Sequence, residues 1–567
     1  MRNIFQLFNA LLKYSRTIRD APAMIVISVI AGTSAGFAST ALIAVLNSVL
    51  NGGRAKGISH GWLFVGLCIV IPVTASISEV LLVRLTAQAA YELRLRISGK
   101  MLSAPYSLLE ELGTHRLLAV ITDDIPSVTT AITNLPLLIS QIAILTGGFV
   151  YLGYLSWPML VLLLVCMVAG MVLYQIPVRK SMQHFRKLRE EWDATFKGIR
   201  ALTEGTKELK LNRKRRSEFV AQQIEKPMLA VRQFYISGNS LASIANKAGQ
   251  ILFYVLIGCI VFWGPVFLHV SHATLTGYTV TVLFMIAPLT LILTAMPVFA
   301  RGYIAAEKIE SLGLSLDSHP PETLTTVAQP CASWNTLELV DVVRPYRHDG
   351  PVEEFCLGPM NLKFQRGELV FLIGGNGSGK TTLAKLLTGL YEPESGELLF
   401  DGVPVTLENR DEFRQNFSVV FYDFYLFEDL FGISNEEAAS KGMEYIRRLQ
   451  IDHKVQIKDG KLSTIELSQG QRKRLALLAA YLEDRPIYVF DEWASDQDPV
   501  FKEIFYHQIL PELQARNKTI IVITHDDRYY HVANRIIKLE RGQIEYDVQQ
   551  SEPADVLTSI SAATKAR

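Results

Sequence analysis

The eight residues Gly374-Gly-Asn-Gly-Ser-Gly-Lys-Thr381 constrain the fold of this chain more than any other stretch. They satisfy the pattern G-x-x-x-x-G-K-[ST]. The short apolar run Glu368-Leu-Val-Phe-Leu-Ile373, of buried-strand type, precedes them, and Thr382-Leu-Ala-Lys-Leu-Leu387 follows with the periodicity of a helix start. Strand, glycine loop and helix in that order is the setting in which the pattern holds phosphate. Glycines let backbone N–H groups converge on anionic oxygens, and the helix N-terminus adds positive potential. Gly374, Asn376, Gly377, Ser378, Gly379 and Thr382 are therefore the expected phosphate cradle of an ATP site. Lys380 would reach the outer phosphates, and the Thr381 hydroxyl would ligate Mg²⁺. A glycine-rich turn without function is the competing reading, and the segments further along the chain weigh against it.

Two of those segments end in chemistry. Ile487-Tyr-Val-Phe490 reads as a buried strand that delivers Asp491 and Glu492 to its C-terminal end, where ligands sit in open α/β sheets. Asp491 suits a Mg²⁺ contact, direct or through water, and Glu492 suits polarising an attacking water. Thr519-Ile-Ile-Val-Ile-Thr524 is a second strand-like run, and it places His525 beside the same site as a sensor of the γ-phosphate. An acidic pair capping a strand, or a histidine after one, is unremarkable alone; both gain weight from the phosphate loop.

With 567 residues the chain is too long for one domain, and its 49% hydrophobic content and mean hydropathy of +0.22 call for a membrane part. Six apolar runs meet that need: about Ala23 to Val49, Trp62 to Val83, Leu135 to Leu155, Pro158 to Ile176, Ile251 to Trp263 and Leu275 to Val298. Before them, Arg2, Lys13, Arg16 and Arg19 alternate with apolar residues in an amphipathic segment suited to lie along the membrane surface. It has no features of a cleaved signal. The loops after the second and fourth runs are long and basic, with Arg84, Arg94, Arg96 and Lys100 in one and Arg213 to Arg216 in the other. The loops after the third and fifth runs carry no Lys or Arg, so both chain ends fall on the cytoplasmic side. Arg54 and Lys56 in the first outer loop run mildly against the rule. The long loops are helix-prone, which extends the membrane helices into the cytoplasm, with turns at Gly113 to Asp123 and Gly205 to Asn212. The expected plan is an amphipathic segment at 1–22, a transmembrane domain at 23–312, a Pro/Thr/Ser-rich linker at 313–333, a nucleotide-binding domain at 334–548 and a tail at 549–567.

A net charge of +1, with no basic domain, argues against nucleic acid as a partner. The five cysteines have neither pairing nor metal-ligand spacing, so no disulfide framework or zinc site is expected.

Leu467-Ser-Gln-Gly-Gln471 resembles the signature of ATP-binding cassette (ABC) proteins, and Ala494-Ser-Asp-Gln-Asp498 stands where that family has its D-loop. Tyr346, 28 residues ahead of Gly374, is placed to stack on adenine. The resemblance implies a type IV ABC exporter half: an α-helical membrane domain of six spans with long cytoplasmic extensions, fused to an α/β P-loop nucleotide-binding domain. Three segments are similar to the bacterial cyclic-peptide and siderophore exporters, including the YojI-type microcin exporter and the pyoverdine and syringomycin exporters. They are Glu204-Gly-Thr-Lys-Glu-Leu-Lys-Leu-Asn212, Phe371 to Gly379, and Asp491-Glu-Trp-Ala-Ser-Asp-Gln-Asp-Pro499. One position departs from the general exporter pattern: Tyr422 stands where most such proteins carry a glutamine that contacts Mg²⁺.

The resemblance further implies two chains that sandwich two ATP molecules, Lys380 of one facing Ser468, Gly470 and Gln471 of the other. The functional unit is then a homodimer in the bacterial inner membrane, with its ATPase domains in the cytoplasm. It uses ATP and Mg²⁺ to export a peptide or siderophore. Membrane lipids are its surroundings, and Glu79, Gln141 and Gln250 are candidates to line the cargo cavity. No peptidase domain precedes the first span, so cleavage of a leader peptide is not expected. A lipid or glycolipid flippase and an importer of metal-loaded siderophores remain the alternatives.

Overall fold

The computed structural model describes residues 21–52, 54–263, 271–317, 331, 333–346 and 355–550. The amphipathic segment at 1–20, most of the linker and the tail from 551 lie outside the described residues. The chain divides into two compact units, one of Met1–Arg94 with Ala119–Glu310, the other of Leu95–Leu118 with Ser311–Arg567. The short stretch Leu95–Leu118 after the second apolar run thus groups with the part that begins at Ser311.

The first unit is built on long helices: α1 (Ala21–Gly52), α2 (Arg54–Ser103), α3 (Leu135–Leu155), α4 (Trp157–Glu204), α5 (Lys226–Gly258) and α6 (His272–Asp317). α2 and α4 hold 50 and 48 residues. At 1.5 Å per residue each is about two and a half times the roughly 30 Å hydrocarbon core, so they continue well past it. Five helical stretches among the described residues are long and apolar enough to cross a membrane: Pro22–Asn51, His60–Ser103, Thr114–Leu155, Trp157–Glu204 and His272–Gly313. The run from Ile251 to Trp263 is not one of them. It forms the end of α5 and a π-helical turn at Cys259–Trp263, and residues 264–270 beyond it lie outside the described residues.

Small residues let these helices approach closely. A Cβ on Gly36 of α1 would lie 2.4 Å from Ala143 Cβ of α3, and one on Gly147 would lie 2.6 Å from Thr40 Oγ1. Polar side chains in the bundle bond to one another instead of facing lipid unpaired. Ser28 and Ser78 exchange hydroxyl-to-carbonyl bonds at 3.0 and 2.7 Å, and Asn47 donates to the Tyr151 hydroxyl at 2.8 Å. Of the cavity candidates, Glu79 is exposed and Gln141 half-buried, while the side chain of Gln250 lies outside the described residues.

The second unit carries strands β1 (Thr336–Tyr346), β2 (Phe355–Gln365), β3 (Leu369–Ile373), β4 (Ser395–Phe400), β5 (Val403–Pro404), β6 (Phe417–Val420), β7 (Ile487–Asp491), β8 (Thr519–Ile523), β9 (Arg535–Glu540) and β10 (Gln543–Gln549). An antiparallel sheet runs β2-β1-β4-β5, and a second sheet runs β10-β9-β3-β8-β7-β6. In the second sheet β3, β6, β7, β8 and β9 are parallel. Every residue of β3, β7 and β8 is buried, as expected of strands covered on both faces. Alternate residues serve two cores: Leu369, Phe371 and Ile373 with Tyr488 and Phe490 on one side, Val370 and Leu372 with Ile487 and Val489 on the other. Ile523 pairs with both Leu372 and Asp491, so β3, β7 and β8 end level with one another. Whatever follows these strands gathers along one edge.

Candidate functional site

The loop after β3 reaches that edge in a conformation only glycine tolerates at two positions. Gly374 and Gly379 have φ of +146° and +99°, and a Cβ on Gly374 would sit 2.2 Å from the Leu539 carbonyl oxygen. Helix α7 (Lys380–Leu387) starts directly behind the loop. Lys380 is buried, and its Nζ donates to the carbonyls of Gly374 and Gly375, both at 3.0 Å, so the ammonium is folded over the loop. Burial lowers its pKa, against the opposing pull of Glu492 and Asp491.

Asp491 sits at the end of β7, 1% exposed, with Oδ2 accepting from Thr381 Oγ1 at 3.0 Å. Its Oδ1 is buried without a hydrogen-bond partner, as is Ser378 Oγ in the loop. Burial raises the Asp491 pKa; the Thr381 bond opposes the shift and the nearby Glu492 adds to it. An under-bonded carboxylate beside a threonine hydroxyl fits a hard cation that takes its other ligands from phosphate and water.

Glu492 adopts left-handed backbone geometry, φ +48° and ψ +33°, at a cost of about 1–2 kcal/mol for a residue with a side chain. Its backbone is held on both sides. The N–H donates to the Ile523 carbonyl at 3.0 Å, and the carbonyl accepts from Ser495 Oγ at 2.7 Å and from Lys473 Nζ at 2.8 Å. The turn aims the carboxylate at the residue that follows β8 by two, and Glu492 Oε1 lies 3.2 Å from His525 Nε2. The loop, Thr381, Asp491, Glu492 and His525 are thus brought together from three strand ends.

A cavity of about 700 Å³ opens over the loop, lined by Asn376 to Thr382, Glu492, Tyr422 and several residues not singled out from the sequence: Glu110, Phe355, Lys385, Tyr391 and Asp423. Phe355 approaches Gly379 so closely that a Cβ there would lie 2.9 Å from its ring, which makes it an apolar wall beside the loop. Tyr346 pairs with Phe355 across β1 and β2, and its side chain lies outside the described residues. Tyr422 lines the cavity beside Glu492.

Glu110, on the short helix Tyr106–Leu112, reaches the far side of the same cavity. Its Oε1 lies 3.2 Å from Nζ of the buried Lys385, and Tyr391 OH donates to its other oxygen. The Lys385 ammonium also stands 5.2 Å and 5.1 Å from the ring centres of Tyr106 and Tyr391. Burial alone would lower the Lys385 pKa, yet Tyr391, Glu110 and Tyr106 together raise it above the ordinary lysine value. An acidic residue just before Gly113 was the only trace of this cluster in the sequence.

Ser468, Gly470 and Gln471 do not line the cavity. They open helix α8 (Gln469–Glu483), where Ser468 and Gln471 form a reciprocal capping box. A Cβ on Gly470 would lie 2.7 Å from the Asp496 carbonyl oxygen, so the helix start and the segment after Glu492 touch backbone to backbone. The N-terminus of α8 thus lies apart from the residues that line the cavity.

Residues 23–292 match the ABC transporter transmembrane region, and residues 357–495 match the ABC transporter family of ATP-binding domains. The chain is 36% identical over 537 residues to the ATP-binding protein SyrD of Pseudomonas syringae pv. syringae, covering 93% of this chain and 95% of that one. It is 26% identical over 568 residues to the ATP-dependent lipid A-core flippase of Vibrio vulnificus strain YJ016, covering 95% and 93%. A solved structure of a bacterial Atm1-family ABC exporter with ATP bound has the same fold, with a TM-score of 0.71 at 18% identity over 96% of this chain and 97% of that one.

Proposed function

This chain belongs to the ABC transporter family, as an ATPase-driven exporter with its membrane helices and ATP-binding domain on one polypeptide, and we propose that it works as a homodimer exporting an amphipathic peptide or siderophore. In this reading the dimer sits in the bacterial inner membrane with both ATPase domains in the cytoplasm. The observation that carries it is the separation of two anion sites within one chain. The phosphate loop and Glu492 line one cavity, with Asp491 bonded to Thr381 and His525 to Glu492 beside it, while Ser468, Gly470 and Gln471 do not line it. A second copy would supply the missing half of each site.

In the proposed roles the loop and Lys380 hold the triphosphate, with Thr381 and Asp491 on Mg²⁺. Bound Mg²⁺ would neutralise charge on the β- and γ-phosphates. Glu492 orients and polarises the attacking water, and His525, bonded to it, faces the γ-phosphate. ATP binding favours the closed sandwich and hydrolysis releases it, so the nucleotide acts as a ligand of one membrane-domain state. The identity of 36% to SyrD against 26% to the lipid A-core flippase weighs towards a cargo other than lipid A. A lipid flippase is the second reading, supported by that full-length similarity.

The test uses the full chain in lipid nanodiscs. Glu492→Gln should retain ATP, slow hydrolysis by roughly two orders of magnitude or more and accumulate a dimer with two trapped nucleotides, visible by native mass spectrometry. A variant that hydrolyses at the wild-type rate, or traps ATP as a monomer, would overturn the assignment.

A further inference from the structure

We propose that Lys473 is a positioning residue for hydrolysis, a buried ammonium that ties the helix carrying Ser468 to the backbone of Glu492, with the Tyr422 ring as its lid. Lys473 lies one turn into α8 and is 0% exposed. Its Nζ bonds three acceptors in the segment after β7: the Glu492 carbonyl at 2.8 Å, Ser495 Oγ at 3.1 Å and Asp496 Oδ2 at 2.7 Å. Those are all the N–H donors an ammonium has. The Tyr422 ring centre is 5.1 Å away and covers the cation. In return, the Lys473 carbonyl accepts from the indole of the fully buried Trp493 at 2.7 Å. Helix and segment are thus clamped by bonds in both directions.

Two features set this apart from ordinary core support. First, the ammonium bonds the carbonyl of Glu492, a residue with a side chain held in left-handed backbone geometry, so releasing it frees the Glu492 carboxylate to reorient. Second, the clamp starts on the helix whose capped N-terminus would meet the partner's ATP. A shift of that helix on nucleotide engagement is passed to Glu492 through one side chain. Tyr422 fits this role because a tyrosine ring offers the cation a face without competing for its three protons.

The inference rests on Glu492 being the residue that polarises water, so Glu492→Gln is assayed alongside. In the full-length transporter in nanodiscs, Lys473→Met should lower kcat for ATP about tenfold to a hundredfold, the scale of one lost charge-assisted contact in a transition state, with KM within about threefold. Lys473→Arg, which keeps the charge, should recover part of the rate. Tyr422→Leu should lower kcat at constant KM. If Lys473→Met does not fold, Asp496→Asn, at a partly exposed member of the cluster, decides the matter. A kcat loss at constant KM supports the clamp; an unchanged kcat overturns it. An unchanged kcat in Lys473→Met likewise refutes the proposal, as does a loss matched by lost ATP binding and not restored by arginine. Wild-type hydrolysis in Glu492→Gln instead overturns the role of Glu492 itself.

Discussion

Replacing Glu110 with Gln removes the carboxylate charge opposite Lys385 while keeping the shape. At 3.2 Å and an effective dielectric of 20, the gross attraction is about 5 kcal/mol. The Glu110 side chain is 37% exposed, so solvent and rotamer entropy reduce that figure towards the small value of surface pairs. Lys385 is 11% exposed, which pulls the other way, because breaking a buried pair costs about 3–5 kcal/mol. An intermediate loss of about 2 kcal/mol follows, or roughly 4–8 °C in the melting point of the nucleotide-binding part at about 2–4 °C per kcal/mol. The assay is a double-mutant cycle of Glu110→Gln and Lys385→Met by scanning calorimetry of the full chain. The two should couple by more than about 1 kcal/mol, whereas additivity within about 0.5 kcal/mol would refute the reasoning. The pH dependence has a definite sign. The Lys385 pKa is raised in the folded state, so its contribution is fully present below the unfolded value of about 10.4 and lost only as pH rises through the folded value. The coupling should therefore stay level between about pH 6 and 9.

Asp491→Asn should raise the melting point of the nucleotide-free protein near neutral pH while abolishing hydrolysis. The Asp491 pKa is raised by burial, so its ionised form costs stability above the folded pKa, and that cost vanishes as pH falls through it. Scanning fluorimetry with and without Mg·ATP checks this, and a lower melting point in the variant would contradict it. Glu79→Ala should reduce cargo-stimulated ATPase and export and leave basal ATPase unchanged. Undiminished stimulation in reconstituted vesicles would remove Glu79 from the cargo path and leave it a solvated group near the helix end.

The parts of the site legible in the sequence are those fixed by local chain geometry. The phosphate loop, Asp491, Glu492 and His525 each follow an apolar strand directly, and parallel pairing of β3, β7 and β8 lines up their ends. What stayed hidden depends on contacts between distant segments. Glu110 meets Lys385 across 275 positions, and its own segment reads as a basic loop between spans. Lys473 stands in Arg472-Lys-Arg474, a run that composition assigns to a solvated face, yet it is fully buried because three acceptors after β7 satisfy it. Phe355 escaped notice because strand β2 follows residues with little apolar pattern. Tyr422 departs from the usual glutamine at its position, and its ring centre lies 5.1 Å from the Lys473 ammonium, a contact between segments some fifty residues apart.

The central claim, ATP-driven export of an amphipathic peptide, is tested most directly by transport into inside-out membrane vesicles containing the full chain, with a fluorescent cyclic lipopeptide as probe. The account predicts uptake that requires Mg·ATP in the wild type and is absent in Glu492→Gln. Equal uptake in that variant, or no peptide uptake alongside ATP-dependent translocation of a labelled lipid A-type glycolipid, would contradict it.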